Sequence, residues 1–235
     1  MDLKEESILR EHIKDHWYYK SKAAALSKCL GGTRSASMLD IGAGSGYFSK
    51  YLLNKGYVNS ATCVDPNYSK EFATKVNNGV LEYRRTIEKS NAKLVLMMDV
   101  IEHVDNDNEL IQKYCTMVPH GTTVVISVPA FNFLWSKHDA FLGHKRRYTR
   151  RALIKTVETT GLKVTHASYY FGFLLPIVAV TRLWGRYFAT TEKSQLQVHH
   201  PIVNKILHTI CLLELPLFRF NYFAGLSVFC IATKE

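Results

Sequence analysis

The sequence predicts an α/β chain built on a doubly wound, mostly parallel sheet, and three observations carry that reading. Apolar segments of strand length alternate with segments of helical pattern along most of the 235 residues, the order that builds parallel βαβ units. The run from Lys93 to Met98 is almost continuously apolar, as expected of a strand covered on both faces. Finally, Met38-Leu39-Asp40-Ile41-Gly42-Ala43-Gly44-Ser45-Gly46 takes an apolar strand to a carboxylate, through glycines at alternate positions, and into a helical pattern at Tyr47.

The elements follow in order. Residues 1 to about 30 read as helical, include the cluster His16-Trp17-Tyr18-Tyr19, and stop at Gly31-Gly32. Strand one covers Ser37 to Ile41, and a helix runs from Tyr47 to Asn54 with Gly56 as its stop. Ala61 to Val64 is strand two, and a helix is expected over Ser69 to Asn77. Strand three is Val80 to Tyr83 and strand four Lys93 to Met98. A helix over roughly Asp107 to Met117, strand five over Thr122 to Val128, and a helix from near Arg150 to Gly161 come next. Strand six is Leu162 to Tyr169, and strand seven is Leu226 to Thr233.

Glycines at a strand-to-helix turn let a ligand lie on bare backbone, because no Cβ blocks the approach. The helix start beyond them offers unpaired N–H groups. A dinucleotide loop of the G-x-G-x-x-G type would put its third glycine at position 47, where Tyr47 stands. Asp40 would repel a pyrophosphate but suits a ligand carrying an ammonium group. Asp65 ends strand two about twenty residues beyond the glycines, where a doubly wound fold places the acid that hydrogen-bonds ribose hydroxyls. Together these features point to a cationic ligand with an adenosine-like body.

Over Leu39 to Gly46 the chain resembles the first motif of the class I S-adenosylmethionine-dependent methyltransferases, and the resemblance extends over about residues 10 to 169 and the last strand. It implies a seven-stranded Rossmann-like sheet with an antiparallel final strand, in a single domain over residues 1–235. An N-terminal helical cap over 1–32 and an apolar helical insertion over 170–225 decorate it. It implies S-adenosylmethionine as cofactor, with Asp40, Gly42, Gly44 and Gly46 at the methionine part, Asp65 and Pro66 at the ribose, and Asp99 beside the methyl-donor site. The N-terminal aromatics, read from the residues alone as core, would in such a family close over the cofactor. Arg84-Arg85-Thr86 stand where many relatives carry an acidic or small polar residue near the adenine, so no adenine contact is assigned.

After strand four comes Asp99-Val100-Ile101-Glu102-His103-Val104, at the edge where open α/β sheets bind ligands. The resemblance places Glu102 and His103 beneath or next to the donor. If helical, Asp99, Glu102 and His103 would share a face and offer a divalent ion two carboxylates and an imidazole. The same letters occur in metal-free relatives, and no metal is expected.

Strand five leads into Trp135-Ser136-Lys137-His138-Asp139 and then Gly143-His144-Lys145-Arg146-Arg147-Tyr148. This pattern resembles a bacterial subgroup associated with surface-polysaccharide and lipid-linked-sugar genes, and its place on the same edge predicts the acceptor pocket. His144 and His138 are candidate general bases, with His103 the third catalytic candidate: a hydroxyl acceptor must lose its proton, and imidazole titrates near neutrality. Arg146 and Arg147 can clamp a phosphate or carboxylate, and Trp135, Asp139 and Tyr148 complete the expected substrate-binding set. Read as plain structure, the arginines would be helix-entry surface charge and His144 a packing residue.

The net charge is +10, concentrated between Ser136 and Arg186, where ten lysines and arginines face two acids. Such a field attracts phosphates, nucleic acid or an anionic membrane face. Nucleic acid is the disfavoured partner, because Asp99-Val100-Ile101-Glu102 stands where a base-flipping Asn/Asp-Pro-Pro-Tyr motif would follow strand four. Five scattered cysteines without C-x-x-C pairs argue for a reducing compartment, and the charged N-terminus does not read as a signal peptide, so the cytoplasm is expected.

Phe171 to Ala189 is apolar but interrupted by Pro176, Arg182 and Arg186, too broken for the ~20 apolar residues that span a bilayer. From Pro201, Ile202, Val203, Ile206, Leu207, Ile210, Leu213 and Leu217 recur at helical spacing. Two readings fit: an amphipathic helix packed on its own domain or on a copy of itself in a homodimer, or an interfacial helix pair with Trp184, Tyr187 and Phe188 dipping into a membrane. The second would hold the chain peripherally on the inner membrane face through residues 171–219, with a lipid-linked acceptor. The expected activity is methyl transfer from S-adenosylmethionine to an oxygen or nitrogen of a small or lipid-linked anionic acceptor. The alternatives are a tRNA or rRNA methyltransferase and a non-catalytic binding subunit that keeps the fold.

Overall fold

The computed structural model describes residues 9–188 and 199–235; the expected N-terminal helix before residue 9 and the part of the insertion between 189 and 198 lie outside the described residues. Eight strands form one sheet: β1 Ser35–Ile41, β2 Val58–Val64, β3 Phe72–Val76, β4 Gly79–Arg84, β5 Leu94–Met98, β6 Thr123–Pro129, β7 Leu162–Tyr170 and β8 Ser227–Lys234. Their spatial order is β3-β4-β2-β1-β5-β6-β8-β7. The strands from β4 across to β6 are parallel, whereas β8 runs antiparallel between β6 and β7. The chain winds outward from β1 in one direction and from β5 in the other, so the crevice between their carboxyl ends is the topological switch point.

Seven helices flank the sheet among the described residues: α1 Trp17–Leu30, α2 Tyr47–Asn54, α3 Asp107–Thr116, α4 Lys137–Leu142, α5 Arg150–Thr159, α6 Leu175–Phe188 and α7 Pro201–Glu214. Tyr19 and Leu26 of α1, Phe48 and Leu52 of α2, and Cys211 of α7 share one core cluster. Ile111 and Tyr114 of α3 and Leu153 and Val157 of α5 belong to the other. All five residues of β5 are buried, as its unbroken apolar run predicts for a central parallel strand. The five cysteines are free and buried.

The helix expected over Ser69 to Asn77 is instead a strand, β3, which turns through Asn77 and Asn78 and pairs antiparallel with β4. Two local choices override the helical reading. Asn77 adopts φ +52°, a left-handed conformation that asparagine tolerates and that closes a tight turn. Phe72 stacks on Tyr83 at 4.4 Å between ring centroids, a cross-strand pair of the kind that stabilises sheets. The sheet therefore has eight strands where seven were expected.

In the insertion, part of α7 packs on its own domain. Trp17 N–H donates to Asn204 Oδ1 at 2.7 Å, Ser21 Oγ and His208 Nδ1 lie 2.9 Å apart, and Tyr170 donates to the Cys211 carbonyl at 3.0 Å. The rest of the apolar stripe is not covered: Ile202, Val203, Ile206 and Leu213 of α7 are exposed, as are Ile177, Val180 and Trp184 of α6. Among the described residues no helix is long and apolar enough to cross a membrane.

Candidate active site

The glycine turn between β1 and α2 is held by its neighbours. Gly42, Gly44 and Gly46 all have positive φ, which glycine adopts without steric cost. A Cβ on Gly46 would fall 2.8 Å from the Tyr83 hydroxyl, and one on Gly42 2.8 Å from the Val100 side chain. Tyr68 donates to the Gly44 carbonyl at 2.6 Å and Tyr83 to the Ser45 carbonyl at 3.2 Å. Asp40 is buried below the turn and accepts from Ser49 Oγ at 2.7 Å. Burial pushes its carboxyl up to about 6. Asp65 is buried at the tip of β2, where Oδ1 accepts from Asn67 N–H at 3.0 Å and Oδ2 from Gly44 N–H at 3.3 Å. Pro66 beside it is exposed.

Across the switch point, Asp99 at the tip of β5 forms an ion pair with Lys22 of α1 and accepts from Tyr18 at 3.2 Å and Ser127 at 3.3 Å. Burial alone would raise its carboxyl, but the Lys22 ammonium beside it holds it below the usual carboxylate range. Tyr18 also stacks on Phe171 at 5.5 Å between ring centroids. Asp99, Phe131 and Phe171 each have positive φ, directly or one residue beyond the ends of β5, β6 and β7. Non-glycine residues in this region cost of order 1 kcal/mol each, and such conformations gather at functional sites.

Between these strand tips, α1, α4 and α6 lies a cavity of about 230 Å³, its wall including Asp99, Glu102, His103, His138, His144 and Arg147. The loop after β6 is organised by Asp139, which is fully buried. Its carboxylate accepts from Ser136 N–H at 2.8 Å, from His144 Nδ1 at 2.8 Å and from Arg147 Nε at 2.7 Å. Burial works against its charge, but the His144 bond and the Arg147 guanidinium outweigh it and drive the carboxyl well below its ordinary value. Burial lowers His103 and His138 to about 4, assisted respectively by His144 and by Arg182, so both are neutral at pH 7. Glu102 is completely buried and neither of its carboxylate oxygens has a hydrogen-bond partner. Burial, reinforced by Asp99, raises its carboxyl far above the usual range.

The model of the family described as "Methyltransferase domain" matches residues 15–167. The chain belongs to that family. No curated protein matches its sequence. Among solved structures, a putative methyltransferase from Haloferax volcanii, in complex with the Trm112 methyltransferase activator, aligns with a TM-score of 0.58 at 13% identity, over 96% of this chain and 93% of that one. A SAM-dependent methyltransferase from Archaeoglobus fulgidus aligns at 0.53 and 18% identity, over 99% and 98%. Phosphoethanolamine N-methyltransferase 2 from Haemonchus contortus, in complex with S-adenosyl-L-methionine, aligns at 0.55 and 15% identity, over 92% of this chain and 53% of that one.

For this methyltransferase, the expected cofactor S-adenosylmethionine fits the residues present. The turn is bare main chain in left-handed conformation, and carboxylates stand at the tips of three adjacent strands, β2, β1 and β5. Asp99, which lines the cavity, already takes a cationic partner in Lys22.

The structure brings Asp99, His103, His138, His144 and Arg147 to one cavity. Others of the expected substrate set stand elsewhere. Arg146 turns away and donates to the Val104 and Asp105 carbonyls at 3.0 and 2.7 Å. Tyr148 is buried and donates to Asp107 at 2.6 Å, and Trp135 lies outside the cavity lining. Asp139 is a positioning residue, its oxygens committed to Ser136, His144 and Arg147. The sequence reading missed Lys22 and Arg182, which came to the site from the cap and the insertion. Both left a signal: Lys22 heads the run Lys22-Ala23-Ala24-Ala25-Leu26, one helical turn after Tyr18, and Arg182 interrupts an apolar helix.

Proposed function

We propose that this methyltransferase moves a methyl group from S-adenosylmethionine to an oxygen or nitrogen of an anionic acceptor seated in the cavity. The observation that carries the reading is the pairing of two guanidiniums with neutral imidazoles on one wall. Arg147 and Arg182 flank the single carboxylate of Asp139, at 2.7 and 3.8 Å, which leaves positive charge for a phosphate or carboxylate. Arg182 Nε and Trp17 Nε1 are buried donors without partners, and both residues line the cavity.

S-adenosylmethionine supplies a methyl already activated on a sulfonium. The chain's own residues then have three tasks: Asp65 and the glycine turn hold the donor, the arginines and Trp17 orient the acceptor, and the imidazoles of His103, His138 and His144 take up the proton it loses. The cap residues Trp17 and Tyr18 exclude water above them.

A lipid-linked acceptor is favoured over a soluble one by the exposed Ile177, Val180 and Trp184 of α6 and Ile202, Ile206 and Leu213 of α7. Exposed apolar side chains beside a basic segment match an anionic membrane face. Isothermal calorimetry on Asp65→Ala is expected to show no donor binding, whereas His144→Ala binds donor and releases no S-adenosylhomocysteine with a cell extract. Unchanged donor affinity in Asp65→Ala would overturn the donor site. Flotation of the full chain with anionic liposomes, lost in Ile202→Glu/Ile206→Glu, tests the lipid reading; a protein that stays at the bottom of the gradient rules it out.

A further inference from the structure

Among the described residues, Glu102 is the one completely buried carboxylate at the cavity whose oxygens have no hydrogen-bond partner. Its neighbour Asp99 has Lys22, and Asp139 has His144 and Arg147. Burying both oxygens of a carboxyl without a hydrogen-bond partner is costly, and an added cation would satisfy them. Two imidazoles stand beside it. One ligand atom each from Glu102, His103 and His144 lie within 4.8 Å of one another, and the rings of His103 and His144 meet edge to face at 4.7 Å.

We propose that Glu102, His103 and His144 bind a divalent first-row transition metal ion. Two nitrogens and one carboxylate oxygen are a ligand set for zinc, manganese, cobalt or iron rather than for calcium or magnesium. With bonds of ~2.0–2.2 Å, two ligands of one ion lie ~3.3–3.6 Å apart in a tetrahedral site and at most ~4.4 Å apart when trans, so a pair at the 4.8 Å limit needs to close by roughly 0.5–1.5 Å.

The surroundings hold the three groups in place. Glu102 and His103 share one turn of 3-10 helix, Ile101–His103, after β5, and His144 follows α4. Lys145 N–H donates to the Glu102 carbonyl at 2.7 Å, Arg146 spans to the Val104 and Asp105 carbonyls, and Lys145 pairs with Asp105 at 3.2 Å. These links tie the two ligand-bearing loops together. His144 is oriented by Asp139 through Nδ1, which leaves Nε2 for an ion; a carboxylate behind a ligating imidazole fixes its tautomer and raises its basicity. The cations around the cavity already have carboxylate partners: Lys22 pairs with Asp99, and Arg147 and Arg182 with Asp139.

Three protein ligands leave coordination positions open, and the cavity is where the acceptor is placed above. The inference therefore rests on the proposed methyl transfer and narrows it to an acceptor that offers an oxygen. An ion there lowers the pKa of a hydroxyl bound to it. The proton passes to His138, which remains outside the ligand set. The oxygen lone pair forms the bond to the methyl carbon, and the carbon–sulfur bond breaks with its electron pair left on sulfur. This outcome differs from the metal-free expectation, because the sequence grouped Glu102 and His103 with Asp99, whose charge Lys22 already balances, and gave no means of bringing His144 to them.

The test uses the full chain stripped with EDTA and titrated with Co2+ alone, read by visible absorption and calorimetry. One ion per chain is expected, with the d–d bands of a nitrogen-and-oxygen site. His144→Ala and Glu102→Gln are each expected to weaken binding roughly 100-fold, and Asp139→Asn roughly tenfold through His144, with Lys155→Ala unchanged. Thermal unfolding of each variant keeps folding separate from binding; Glu102→Gln in particular replaces the carboxyl without changing its shape. Absence of stoichiometric Co2+ binding, or binding that survives both Glu102→Gln and His144→Ala, overturns the site. Donor affinity measured on the same stripped protein separates the two readings. Donor binding and full turnover in EDTA sink the metal and leave the methyl transfer standing, whereas Co2+ binding without donor binding does the reverse.

Discussion

Lys22 of α1 and Asp99 at the tip of β5 form an ion pair that fastens the N-terminal cap to the switch point of the sheet. The lysine side chain is completely buried and the aspartate about a fifth exposed, at 21%. Removing one partner of such a pair leaves an uncompensated charge, at a cost of about 3–5 kcal/mol. Lys22→Met is expected to lose about 3 kcal/mol in urea unfolding, because Asp99 keeps its Tyr18 and Ser127 bonds. Lys22→Met/Asp99→Asn should regain most of it; a loss in the single variant no greater than in the double would show that the pair carries no coupling.

Asp40 gives a pH dependence with a defined sign. Its folded carboxyl is raised by burial from 3.8 to about 6, so between those values the folded chain binds more protons than the unfolded one. Stability from the neutral carboxyl is complete below pH 3.8 and is lost as pH rises through about 6. Donor binding should run the other way, tightening as Asp40 ionises toward a cationic ligand. Calorimetry from pH 5 to 7.5 should show that rise in the wild type and a flat profile in Asp40→Asn. An unaltered profile in the variant would assign the step to another group.

The fold was legible in the sequence wherever a strand was central. β1, β2, β5 and β6 are buried between helices and read as short apolar runs, and the glycine turn declares itself by residue type. β3 was not legible, because Phe72–Val76 is an exposed edge strand whose pairing depends on the turn at Asn77 and on Tyr83 across the hairpin. The site was legible in part for a similar reason. Residues after β5 and β6 fall at the carboxyl edge by topology alone, so Asp99, His103, His138 and His144 could be found. Which of them face a cavity depends on tertiary partners: Asp107 claims Tyr148, the Val104 and Asp105 carbonyls claim Arg146, and Asp139 is consumed by His144 and Arg147.

Gly46→Ala puts a side chain into a left-handed residue, at about 1–2 kcal/mol, and a methyl 2.8 Å from the Tyr83 hydroxyl. The turn must open to admit it. Donor affinity is expected to fall by roughly tenfold or more, about 1.4 kcal/mol, with acceptor affinity unchanged. Titration calorimetry with S-adenosylhomocysteine checks it, and wild-type affinity in the variant would mean that the turn does not touch the donor.

Asp139→Asn keeps the shape of the hub and removes its charge. With Arg147 and His144 left facing a neutral amide, the chain is expected to lose about 3–5 kcal/mol of stability in denaturant unfolding. Below the unfolding transition, methyl transfer should drop by roughly 100-fold as His144 and Arg147 drift from their places, while donor affinity holds. A parallel loss of donor affinity would place Asp139 in general architecture rather than in the acceptor wall.

β8 enters the sheet between β6 and β7, although β7 precedes it in the chain. Until Ser227–Lys234 has been synthesised, β7 has no neighbour to pair with and β6 presents an open flank. Between the synthesis of β7 and that of β8, a nascent chain of this order carries both raw edges, with its basic loops and aromatic cap already made. Chaperones that recognise unpaired strands would meet the protein in that interval, and pairing of β8 with β6 and β7 is what closes the wall of the cavity at Ser227.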